Sequence, residues 1–229
     1  MAELLQIALL PLTLTVLAYQ FGLWVQKKLH SPLFNPILVA VAVILTFFAL
    51  TGMKNTDYQA GMSNISWLLT PATISLAIPL YQHFSTLKKD LPAILAGITA
   101  GAIVSLLFVL GWSLLFQYDR ALMMSLLPKS VTSAIGVPLT EMGGGVSALT
   151  TAVIIITGIL GSLMGPLLCK LLRIKSPIAQ GVAFGTAAHV IGTARANELH
   201  PLTGAVSSLS LATAGLVTAI VFPILLQFL

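Results

Sequence analysis

Long apolar stretches alternate with short polar loops along the whole chain, and this alternation predicts an all-α protein that crosses a membrane several times. A helix needs about 20 mostly apolar residues to cross a bilayer. Six stretches meet this length: Leu4–Val25, Leu33–Gly52, Ile65–Phe84, Leu91–Phe116, Val146–Leu168 and Ala205–Leu229. Two further stretches, 119–144 and 177–200, are interrupted by Gly, Pro, Ser, Thr and charged residues. The pattern therefore predicts six full spans plus two broken or re-entrant segments.

The composition supports a membrane protein and excludes several other classes. Only 7% of the 229 residues are charged and 57% are hydrophobic, whereas a soluble domain carries about 25% charged residues. Soluble enzymes, nucleic-acid-binding proteins and disulfide scaffolds are thereby excluded, and the single cysteine, Cys169, rules out an internal disulfide. The chain has no metal-ligand spacing and no nucleotide-binding motif, so we expect no metal, no cofactor and no enzymatic activity.

Clusters of basic residues predict the orientation of the spans, because loops rich in Lys and Arg face the cytoplasm. The three clusters are Lys27 with Lys28, Lys88 with Lys89, and Lys170 with Arg173 and Lys175. All three lie on the cytoplasmic side if the N-terminus is outside and if segment 119–144 enters and leaves on one face. We therefore expect a multi-pass protein of a bacterial inner membrane with its N-terminus outside.

An internal repeat is suggested by the order of elements in the second half of a single transmembrane domain, 1–229. After the N-terminal spans of 1–118, residues 119–170 and 176–229 each contain a broken polar segment followed by a full span. If both broken segments re-enter, the two units are inverted, as is typical of secondary transporters. Chance similarity between apolar segments is the alternative.

Prolines and glycines mark where helices are expected to break, since proline lacks a backbone donor and glycine permits close approach. The predicted positions are Pro71, Pro79, Pro128, Gly136, Gly185 and Gly192. For Pro71 and Pro79, a simple kink in a continuous helix is an equally good interpretation.

Charged residues inside apolar segments are costly and indicate function. In the first broken segment, Lys129, Ser130, Thr132 and Ser133 offer one cation and three hydroxyls next to a helix N-terminus, which suits an anion. The alternative is a lysine that reaches the membrane surface while the hydroxyls bind their own backbone.

The second broken segment adds Thr186, His189, Thr193 and Arg195 to the predicted substrate-binding residues. Arg195 presents a planar fork that suits a carboxylate, although Glu198 at i+3 allows a simple ion pair instead. His189 can titrate near neutral pH or simply bond a backbone carbonyl. The candidates for proton coupling are His189, Glu198 and Glu141.

Several of these blocks resemble one known family. The residues Leu127-Pro-Lys-Ser-Val-Thr132, Gly185-Thr-Ala-Ala-His189, Gly192-Thr-Ala-Arg195 and Gly204-Ala-Val-Ser-Ser-Leu209 are similar to signature blocks of the LrgB/CidB family, and Pro71–Tyr81 is similar to an earlier block. The chain departs from the family pattern at Ser133–Gly136, where members often have Thr-Pro-Ile-Ala, and at Thr203, where many have an acidic residue.

The resemblance implies an inner-membrane protein that works beside a smaller LrgA/CidA-type membrane partner. Members have been described as holin- or antiholin-like modulators of murein hydrolase activity and autolysis. The plastid members, which resemble a fusion of both parts, carry glycolate and glycerate, and bacterial members are linked to pyruvate and related monocarboxylates.

The leading expectation is a secondary transporter of small organic anions such as pyruvate or glycolate, with its site between the broken helices. A holin- or antiholin-like pore or regulator of murein hydrolase activity is the alternative. The expected partners are the anion, the lipid bilayer, the small membrane protein and a second copy of the chain in a homodimer, with no nucleic acid.

Overall fold

The computed structural model describes residues 2–29, 34, 36–62, 67–68, 71, 74–75, 77–82 and 84–229, and all regular structure in these residues is helical. The helices are α1 Ala2–Leu29, α2 Pro36–Thr51, α3 Asn55–Met62, α4 Ala77–Gln82, α5 Phe84–Leu115, α6 Arg120–Leu126, α7 Ser133–Gly143, α8 Ser147–Leu171, α9 Pro177–Leu199 and α10 Pro201–Leu226. The prediction of an all-α polytopic protein is confirmed.

The described chain divides into two compact units, Met1–Ser75 and Leu76–Leu229. The predicted single domain with repeats at 119–170 and 176–229 stays a prediction, as does the inverted relation of the repeats.

In the first unit, α1 packs against α2 and α3. A β-carbon on Gly22 of α1 would lie 2.5 Å from the carbonyl oxygen of Pro36, so glycine allows the two helices to approach closely. The hydroxyls of Thr15 and Tyr58 lie 2.7 Å apart and join α1 to α3. The Tyr58 ring also meets the edge of Phe48, with ring centroids 5.2 Å apart.

In the second unit, α5 and α10 enclose an apolar core. Leu87, Ile94 and Ile98 of α5 are buried with Val206 and Ala214 of α10. A second apolar cluster, at the other end of these helices, adds residues of α6 and α7 to the core. Helix α9 lies between α8 and α10, and this arrangement places the second broken segment inside the bundle.

Four helices of the described part of the chain are long and apolar enough to cross a membrane, and they correspond to the first, fourth, fifth and sixth predicted spans. Their bounds are Leu9–Leu29, Leu87–Leu115, Ser147–Leu171 and Pro201–Leu226. The second predicted span forms a helix of 16 residues, about 24 Å long. The third, Ile65–Phe84, is only partly within the described residues, where its longest helix is α4.

The fourth predicted span begins seven residues earlier than expected. The prediction placed Lys88, Lys89 and Asp90 in the loop before Leu91. In the structure, α5 begins at Phe84 and continues through Pro92. The charged residues therefore lie in the first two turns of α5 and not in a loop.

Candidate functional site

The first broken segment consists of two short helices separated by a turn. Helix α6 begins at the cap residue Asp119, whose carboxylate accepts a hydrogen bond from the Leu122 amide at 2.6 Å. The helix ends at Leu126, and α7 begins at Ser133. Pro128 lies in the intervening turn, whereas Gly136 lies inside α7, where a β-carbon would be 2.7 Å from Ile154.

The second broken segment is a kink inside α9, and it occurs at His189. This residue has φ 42° and ψ −135°, while the helix continues on both sides. A side chain is strained at positive φ, so the surrounding structure must hold His189 in place. Gly192 lies beside the kink, where a β-carbon would be 2.8 Å from the Phe184 carbonyl oxygen.

Gly185 lies at the contact between α9 and α10, whereas Gly192 lies beside the kink. Its missing side chain lets the backbone of α9 lie directly against the Ser207 carbonyl of α10. Pro79 lies inside α4, and the remainder of the element around Pro71 and Pro79 is only partly within the described residues.

The turn of the first broken segment forms a polar cluster with α5. The Lys129 Nζ atom lies 3.0 Å from the Ser130 hydroxyl and 3.5 Å from the Ser105 hydroxyl. The two serine hydroxyls are 2.8 Å apart. We call Ser105, Lys129 and Ser130 the lysine cluster.

A small cavity next to the lysine cluster brings the two broken segments together. Its volume for a water-sized sphere is about 10 Å³, and its polar lining is Ser105, Ser130, Thr186 and Thr218. About 10–15 Å³ on this measure holds one water molecule. The cavity thus joins two residues predicted for the site, Ser130 and Thr186, but has no room for an organic solute.

Within the described part of the chain, Lys129 of the lysine cluster has no acidic partner. Across the described residues, no carboxylate lies within 4 Å of its Nζ atom. An unpaired cation within the membrane region is costly, and here two hydroxyls partly replace its hydration.

His189 does not line the cavity. Its Nε2 atom lies 2.9 Å from the carbonyl oxygen of Ile154 in α8, and its ring occupies the space left by Gly158. Thr193 donates to the His189 carbonyl at 2.9 Å and lies 2.8 Å from the Ser207 hydroxyl. His189 and Thr193 therefore fasten the kink of α9 to the helices on both sides.

The remaining predicted residues lie away from the cavity lining. Arg195 forms an ion pair with Glu198, with side chains 37% and 62% exposed. Thr132 and Ser133 start α7, and the exposed Glu141 accepts from the Ser147 hydroxyl at 2.8 Å. The substrate-binding and proton-coupling roles of these residues stay predictions.

Two polar residues of the cavity were missed by sequence reasoning. Ser105 and Thr218 lie in apolar spans, where an isolated hydroxyl usually bonds its own helix backbone. The sequence feature that could have indicated these two residues was a single hydroxyl within an otherwise apolar run. Their contact with the turn at Lys129 depends on how the helices pack.

Comparison with known proteins gives matches over nearly the whole chain. The sequence profile of the LrgB-like family matches residues 15–228. The chain is 33% identical over 226 residues to the holin-like protein CidB of Staphylococcus epidermidis, covering 99% of this chain and 98% of that protein. It is 35% identical over 221 residues to the antiholin-like protein LrgB of Bacillus cereus, covering 95% of each. No solved structure matches the chain.

The prediction of a secondary transporter for monocarboxylates such as pyruvate or glycolate is wrong, because these full-length relatives are named holin-like and antiholin-like. The names agree with the alternative. The transporter prediction treated Lys129, His189 and Arg195 as one cationic site. In the structure, His189 bonds a backbone carbonyl, Arg195 pairs with Glu198, and neither lines the cavity beside Lys129.

Proposed function

This chain belongs to the LrgB-like family, and on that premise we propose that it acts as a holin-like protein of a bacterial membrane. Its cellular effect is to raise murein hydrolase activity and autolysis by changing the permeability of the membrane. The observation that carries the proposal is the full-length similarity to holin-like CidB proteins. The four long apolar helices supply the membrane-spanning part.

The geometry around the lysine cluster supports a closed state of such a protein. The cavity between the broken segments has room for about one water molecule. If the turn at Pro128 and the kinked α9 move apart, Lys129 and the four lining hydroxyls would border a hydrated gap. In the account we propose, the lysine cluster is the polar part of the path that opens.

The partners in this proposal are protein and lipid. A small LrgA/CidA-type membrane protein would act beside this chain, and a second copy would form a homodimer. The N-terminus would lie outside, because this places the Lys27–Lys28 pair on the cytoplasmic side.

Controlled expression in a bacterium, followed by the rate of autolysis, tests the proposed function. We expect the wild-type chain to accelerate lysis and Lys129→Ala to abolish the acceleration at equal membrane abundance. Lys175→Ala is the matched control, because Lys175 is an exposed residue in the turn between α8 and α9.

If expression of the wild-type chain slows autolysis, the chain has an antiholin-like function and the proposed holin-like function is contradicted. An unchanged rate with a well-expressed chain would contradict both. Equal effects of the two lysine variants would remove the lysine cluster from the account.

A further inference from the structure

An open apolar groove lies between α1 and α2 in the first unit. Its volume is about 530 Å³. The main lining residues are Phe21, Val25, Val39, Val43, Phe47 and Leu50. Thr46 also lines the groove, but its hydroxyl already donates to the Ala42 carbonyl at 2.8 Å. The groove therefore offers apolar contact and makes little demand for hydrogen bonds.

The shape of the groove suits an extended hydrocarbon chain. Val39, Val43, Phe47 and Leu50 follow the i, i+4 and i+3 spacing that places side chains on one face of a helix. From Val39 to Leu50, α2 rises about 16 Å. This length lies along the helix that the second predicted span forms, so the groove runs with the apolar part of α2.

The end of α1 beside this groove is positively charged. Lys27 and Lys28 follow Val25 by two and three residues, and both are exposed. Among the residues that the structure describes, neither lysine pairs with a carboxylate. The two cations can therefore accept a negatively charged group at the end of the groove.

An aromatic pair marks the same end. Trp24 stacks on Phe21, with ring centroids 5.7 Å apart. The Lys28 Nζ atom lies 4.9 Å from the centre of the Trp24 ring. Tryptophan is enriched at the depth of lipid headgroups, so this end of the groove is expected to lie where phosphates are found.

We propose that the groove is a binding site for an anionic phospholipid. One acyl chain lies along α2 between Val39 and Leu50, and the phosphate lies against Lys27 and Lys28. Charge complementarity selects the lipid over a neutral apolar segment of protein, because an apolar helix would leave both lysines unpaired. This site is independent of whether the chain is holin-like.

Quenching of Trp24 fluorescence by brominated lipids tests the proposal. The full chain carries three tryptophans, so Trp67→Phe and Trp112→Phe leave Trp24 as the reporter. The protein is reconstituted in phosphatidylcholine vesicles that contain a small fraction of brominated phosphatidylglycerol or brominated phosphatidylcholine. We expect the anionic lipid to reach Trp24 with an apparent affinity at least roughly tenfold higher, given two lysines near the headgroup.

Two variants separate the charged end from the groove. Lys27→Gln with Lys28→Gln should abolish the preference for phosphatidylglycerol. Lys88→Gln with Lys89→Gln, a matched pair at the exposed start of α5, should keep it. Ala42→Phe, at an exposed lining position, should fill the groove and lower quenching by phosphatidylglycerol while both lysines remain.

Four results would overturn the proposal. Equal quenching by the two lipids would show no selection by charge. Equal loss in the two lysine pairs would show only general attraction to a basic protein. Absence of quenching by either lipid would show that protein, such as a second copy or a partner helix, fills the groove. An unchanged preference in Ala42→Phe would restrict lipid binding to the lysines and contradict the groove.

Discussion

The backbone at His189 predicts an unusual order of stability for two substitutions at that position. His189→Ala and His189→Gly both remove the imidazole and its contact with the Ile154 carbonyl. The difference in stability between the two variants therefore reports the cost of the backbone conformation at position 189. At φ 42°, glycine is free of the steric conflict that alanine carries.

The size of the effect follows from the same geometry. A non-glycine residue held in a sparsely populated region of φ and ψ costs about 1–3 kcal/mol, and the greater entropy of glycine in the unfolded chain offsets about 0.4–1 kcal/mol of this difference. We expect His189→Gly to be more stable than His189→Ala by up to about 2.5 kcal/mol. In a continuous helix the order reverses, because alanine is favoured over glycine by about 1 kcal/mol.

Thermal unfolding in detergent, followed with a thiol-reactive dye, measures this difference. Cys169 is the one cysteine and is buried in α8 beside Phe184 and Ala196 of α9, so its labelling reports loss of the α8–α9 contact. A difference of 1 kcal/mol corresponds to about 2–4 °C for a chain of this size. A higher midpoint for His189→Ala than for His189→Gly would refute the kink. Ala194→Gly, at an exposed helical position of α9, should lower the midpoint and serves as the reference.

Other substitutions test separate parts of the account. Thr150→Val removes a fully buried hydroxyl that joins α8 to α6 and α7, so the free energy of unfolding should fall by about 1–2 kcal/mol. Thr151→Val loses only a hydrogen bond within its own helix and should lower the free energy of unfolding less. Gly185→Ala should lower the melting temperature because its β-carbon meets the backbone of α10, while Gly111→Ala, with open space around it, should not. Arg195→Gln should cost less than about 1 kcal/mol, because its ion pair is exposed; a larger loss in a melting curve would show that Arg195 has a further partner.

The long helices and the first broken segment follow from sequence patterns because hydrophobic length and proline act locally. Apolar runs placed α8 within three residues at each end, and Pro128 marked the turn before α7. The start of α5 was predicted too late because Lys88, Lys89 and Asp90 interrupt the apolar run, and such charges occur both in a loop and in the first turns of a helix. Sequence alone does not distinguish these two cases.

The second broken segment shows what the pattern cannot supply. Glycines were the expected break positions, yet the kink occurs at His189. Its ring contacts Gly158 and Ile154 of α8. Thr193 donates to the His189 carbonyl and contacts Ser207 of α10, so these contacts hold a conformation that His189 does not prefer. Such contacts join residues far apart in the chain. The ion pair of Arg195 with Glu198 could be predicted from their i+3 spacing on a helix. The contact of Ser105 with Lys129 could not be predicted from sequence spacing.

Release of trapped dyes from proteoliposomes tests the proposed holin-like function most directly. Vesicles hold a small and a large fluorescent solute, and the purified chain is incorporated at known density. The account predicts release that increases with protein density and that Lys129→Ala abolishes, with Lys175→Ala releasing as the wild type does. Retention of both solutes by the wild-type chain, at a density confirmed by quantification, would contradict the account.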